Sequence, residues 1–107
     1  MTQEIFGAKW QDDVKAVAVA NADLELAKNA TETLQVYAVF GGGVASRMMD
    51  NSNFKFAVES GTSASVAEST GVITATSTGG NTVISVTLKD ATGQPTDKIG
   101  YANVTVA

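Results

Sequence analysis

Residues 82–88 read TVISVTL, with Ile84, Val86 and Leu88 alternating against Ser85 and Thr87. A strict period of two puts those three apolar side chains on one side of an extended chain, whereas a helix would scatter them around its axis. The same period recurs in Leu34, Val36, Ala38 and Phe40 and in Ala102, Val104 and Val106. These runs predict half-buried strands, with Gln35 and Tyr37 pointing outward from the first. Weaker strands are expected at FKFAV (54–58), at GVITATS (71–77) and at VKAVAVA (14–20), where an alanine-rich helix spanning 8–30 competes.

Turn residues separate the runs. Asn21–Asp23 and Asn29–Thr31 are expected turns, and KDATGQPTDK carries Gly93 and the single proline, Pro95, as a hairpin loop. Gly71 offers a positive φ ahead of its strand, and Gly79-Gly80-Asn81 reads as a tight hairpin into TVISVTL. Residues 41–53, GGGVASRMMDNSN, form the longest irregular stretch, with one helical turn expected around Ala45–Met49. Seven or eight short strands of this kind predict an all-β sandwich, mainly antiparallel.

The chain has 107 residues, which is one domain with no room for a second core. It contains neither cysteine nor histidine. Disulfides, thiolate metal sites, thiol nucleophiles, the commonest general base and the usual zinc ligand are therefore all missing. No catalytic, cofactor-binding or metal-binding residue is expected, and no cofactor. Seven basic against eleven acidic residues, the basic ones scattered singly, leave no patch for nucleic acid. No apolar run approaches the ~20 residues that span a bilayer. MTQEIFGAKWQDD has neither a basic n-region nor an apolar h-region, so a chain made and folded in the cytoplasm is the expectation.

Several stretches invite chemistry and fail on spacing. The glycines of ESTGVITATSTGG are followed by no lysine, so a phosphate loop is excluded. Asp50-Asn-Ser-Asn53 lacks the ligand spacing of a calcium loop, since Phe54 follows where a ligand would stand. Asp12-Asp13 reads as a solvated pair. Two segments invite contact instead. The N-terminal arm, residues 1–13, carries Ile5, Phe6 and Trp10, and GGGVASRMM offers Arg47, Met48 and Met49. Methionine, arginine and tryptophan suit protein interfaces, so these six are the candidate partner-binding residues. For the arm, packing back over its own sandwich is the alternative.

Val66, Ala67, Gly71, Val72, Ile73, Thr74, Ala75, Gly79, Ile84 and Val86 follow the strand-and-turn pattern of the bacterial immunoglobulin-like domain of group 2. Residues 14–107 resemble that family, with Phe54 or Phe56 standing where it usually packs a tryptophan. The resemblance implies an immunoglobulin-like β-sandwich that works as a spacer, adhesion or docking module. A lone domain of this type without an export signal fits a bacteriophage virion protein, made in the host cytoplasm. Within that reading a capsid decoration protein comes first, bound to the major capsid protein or another virion protein, with self-association an open option. A tail or neck position comes next. The alternative is an adhesion or spacer module at a bacterial cell surface, binding a receptor or carbohydrate.

Overall fold

The structure, a computed structural model, describes residues 10–41 and 46–107. A 3-10 turn, Trp10–Asp13, leads into β1 (Val14–Val19), β2 (Asp23–Leu26), β3 (Thr31–Thr33), β4 (Val36–Phe40) and β5 (Arg47–Met48). A second 3-10 turn, Asn51–Asn53, precedes β6 (Phe54–Ser60), β7 (Ala64–Val66), β8 (Val72–Ala75), β9 (Gly80–Lys89) and β10 (Pro95–Val106). The protein is an all-β sandwich.

Hydrogen bonding groups the strands as β1-β4-β5, β3-β8-β7 and β2-β10-β9-β6. The first two groups make one layer, because β3 and β4 are a single run of chain interrupted at Leu34-Gln35. The interruption is bridged on both sides: Leu34 N–H donates to Gly71 O at 3.0 Å, and Ala20 N–H donates to Gln35 O at 2.8 Å. That layer therefore runs β1, β3/β4, β8, β7 and faces β2-β10-β9-β6. The order is that of an immunoglobulin-like sandwich. All pairings are antiparallel except β2 with β10.

Alternation decides which side chains lie between the layers. Ile84, Val86 and Leu88 of β9 are fully buried, opposite Leu34, Val36 and Ala38 of the other layer, in one continuous core cluster. Phe54 and Phe56 meet edge-to-face with centroids 6.5 Å apart, filling the space at the β6 margin. A helix over 8–30 is ruled out for its described part, since β1 pairs with β4 from Val14↔Phe40 to Val19↔Val36.

Four expectations need correction. Ten strands stand among the described residues rather than seven or eight, because turns and interruptions at Asn21 and Leu34-Gln35 split longer runs. Gly79-Gly80-Asn81 is not a hairpin. β8 and β9 belong to opposite layers, and these glycines carry the chain across the end of β10, where a Cβ on Gly79 would lie 3.3 Å from Val106 O. Within Ala45–Met49, Arg47–Met48 is strand, paired with Ala38 and Tyr37, and the helical turn comes later, at Asn51–Asn53. The β9–β10 loop is also shorter than expected, since Pro95 already pairs with Lys89.

Candidate functional site

Several polar side chains are committed to the protein's own backbone. Asn51 Nδ2 donates to Leu34 O and Thr70 O, both at 2.8 Å, and Asn53 Nδ2 donates to Asp50 O at 3.0 Å. These amide bonds hold Asp50–Asn53 together as a structural turn. Asn21 closes the β1–β2 corner, donating to Thr33 O and accepting from Gln35 N–H. Thr82 Oγ1 is buried between the layers, where it accepts from Ser63 N–H and Ala64 N–H, each at 3.1 Å. Its hydroxyl also lies 2.7 Å from Ser63 Oγ. Among the described residues no group of three or more Asp, Glu, His or Cys could hold a metal ion.

Two carboxylates sit below their ordinary range, and both are at the β9–β10 hairpin. Asp90 is lowered chiefly by the Thr92 hydroxyl, then by Gln94 N–H, as both donate to Oδ1. Asp97 is lowered by the hydrogen bond and charge of Lys98 at 2.8 Å. Asp97 is exposed and Asp90 half-buried, and each acts on its own loop.

The expected contact residues divide. Ile5 and Phe6 lie outside the described residues, and of Trp10 only the backbone, in the first 3-10 turn, is described. Arg47 is exposed, and Met48 is 57% exposed. Met49 is a correction: it is 4% exposed and part of the core, because its N–H donates to Val36 O and turns the side chain inward. The register brings the two segments together. Val14 pairs with Phe40, and a Cβ on Gly41 would lie 3.0 Å from the Lys15 side chain. Val14 and Gly41, the described positions next to the two segments, therefore lie at the same end of the sandwich. The arm is not separable at residue 13, since Gln11 is 7% exposed and already packed in.

Beside Met48 lies an open depression of about 370 Å³, lined by Leu34, Gln35, Met48, Met49, Asp50 and Asn51. A second, of about 330 Å³, lies at the opposite layer between Phe54, Lys55, Glu68 and Lys89. The sequence reading missed a third surface. Tyr101 and Ile99 are 54% and 44% exposed on the outward face of β10, an interior strand. Their alternation with Gly100 and Ala102 could have marked them.

No known protein-family model matches the chain, and no curated protein matches it either.

Proposed function

We propose that this protein is a non-enzymatic structural component of a virion, and most specifically a capsid decoration protein of group 2 immunoglobulin-like type. The observation that carries the docking part of this reading is the convergence at one end of the sandwich. The entry of the arm at Val14 and the exit of the 41–46 loop share that end, with Arg47 and Met48 exposed nearby. Commitment of Asn21, Asn51, Thr82 and Asp90 to backbone further supports a rigid scaffold over a catalyst. The virion itself rests on the resemblance of Val66–Val86 to the family pattern.

The proposed contact consists of Ile5, Phe6 and Trp10 of the arm with Arg47 and Met48. Interfaces rely on a few anchors, with tryptophan and arginine prominent among them. Co-sedimentation of the purified protein with capsids lacking it tests this contact. Trp10→Ala and Met48→Glu should each weaken attachment, and Met48→Glu, at an exposed position, should leave the melting temperature within about 2 °C of wild type. Attachment unchanged in both variants would remove this surface from consideration. The second reading, a surface adhesion module, would be favoured by attachment to bacterial cells instead.

A further inference from the structure

We propose that the depression between the start of β6 and the β9–β10 hairpin is a binding site for a compact organic carboxylate. The pairing register supplies the first reason. Lys55 pairs with Thr87, so Lys89, two residues further along β9, is its diagonal neighbour. Both lysines alternate with buried residues, Lys55 between Phe54 and Phe56 and Lys89 after Leu88, and so leave the sheet on the same, outward side. Diagonal neighbours stand about 7–8 Å apart. At that spacing two ammonium groups repel each other, and one anion can meet both. The two lysines are far apart in the sequence, where the basic residues look scattered, and only the fold brings them together.

The depression these lysines line has a volume of about 330 Å³. That is the lower end of ligand pockets, which run from about 300 to 1,000 Å³, so it suits a short molecule rather than a polymer. Pro95 gives it an apolar wall, Ser69 a hydroxyl, and Gly93 room, since a Cβ there would meet nothing within 4 Å. Its charged groups are Lys55, Lys89 and Glu68. Lys55 Nζ reaches Glu68 Oε2 only at 3.8 Å, near the limit of an ion pair. Among the described residues Lys89 has no ion-pair partner. Asp90, next in the chain, holds Thr92 and Gln94 with its carboxylate. Two ammonium groups and one carboxylate leave a single positive charge, in a chain whose net charge is −4. One ligand carboxylate is its complement, whereas a dianionic phosphate would leave a charge uncompensated beside Glu68. The ligand's carbon chain would lie against Pro95 and the lysine stems. The depression is distinct from the Arg47–Met48 edge, and the inference does not rest on the virion reading.

NMR titration of the full chain with sodium hexanoate, ionic strength being held constant with sodium chloride, tests it. The amides of Lys55, Ser69, Lys89 and Gly93 should shift saturably at millimolar concentration. Hexan-1-ol, with the same carbon chain and no charge, should not reproduce the shifts. Lys89→Gln should weaken hexanoate binding about fivefold, the worth of one exposed ion pair. Lys15→Gln, beside Gly41, should leave it unchanged, both variants retaining the wild-type circular dichroism spectrum. Shifts that do not saturate, or that hexan-1-ol matches, would overturn the proposal, as would undiminished binding by Lys89→Gln. Saturable binding of inorganic phosphate in place of hexanoate would overturn the assignment to a carboxylate.

Discussion

Thr82 shows how a single residue can tie the layers together. It lies on β9, and its hydroxyl serves two backbone N–H groups at the start of β7, in the opposite layer. Valine has nearly the same shape but no acceptor, so Thr82→Val leaves both donors buried and unpaired. Each such orphan costs about 1–3 kcal/mol, so losing both should destabilise by roughly 2–6 kcal/mol in denaturant titration. Thr82→Ser keeps the acceptor and gives up one buried methyl, a loss of about 1 kcal/mol. Equal effects of the two would show that shape, not the hydroxyl, matters at this position. On the same strand Ile84→Ala should cost about 2–5 kcal/mol, because a fully buried side chain leaves a cavity. Thr87→Ala, on the outward face, should cost little.

At the scale of elements, the turns are more informative than the strands. Gly71 has φ 72°, and a Cβ there would stand 2.8 Å from both Phe56 Cζ and Asn51 Nδ2. Gly71→Ala therefore meets backbone strain and two neighbours at once, and should lower the melting temperature more than Gly93→Ala, whose Cβ would enter open space. The β9–β10 loop is held by Asp90, whose carboxylate accepts from the Thr92 hydroxyl and from the N–H groups of Thr92 and Gln94. Because those bonds lower its pKa from 3.8, their contribution is complete above that value and is lost as pH falls through the lower, folded value. An NMR titration should show the Thr92 and Gln94 amides moving together with a midpoint below 3.8. A midpoint at or above it would mean the loop is not organised around Asp90.

Strand faces were legible in the sequence because period two survives one-sided burial: Leu34, Val36, Ala38 and Phe40 all point inward as read. Layer membership was not legible. Nothing local distinguishes Gly79-Gly80 as a crossing from the same pair in a hairpin; only the pairing of Gly80 with Val106 decides it. Met49 was misread for a related reason. Met48 and Met49 look alike in sequence, but Met48 ends the exposed strand β5, while Met49, just past it, donates its N–H to Val36 O and is buried.

The whole molecule is a two-layer sandwich with one apolar core and no disulfide. A domain of this size can bury enough surface to fold alone. Thermal unfolding should therefore be indifferent to EDTA, and a drop of several degrees with chelator would point to a bound metal. The central claim is that the chain is a stoichiometric part of a virus particle. Quantitative mass spectrometry of density-gradient fractions from cells expressing the encoding genome tests it most directly. The account predicts the chain in the particle band, at a fixed ratio to the major capsid protein across preparations. Recovery of the chain in the cell-envelope fraction, with none in the particle band, would contradict it and favour the adhesion module.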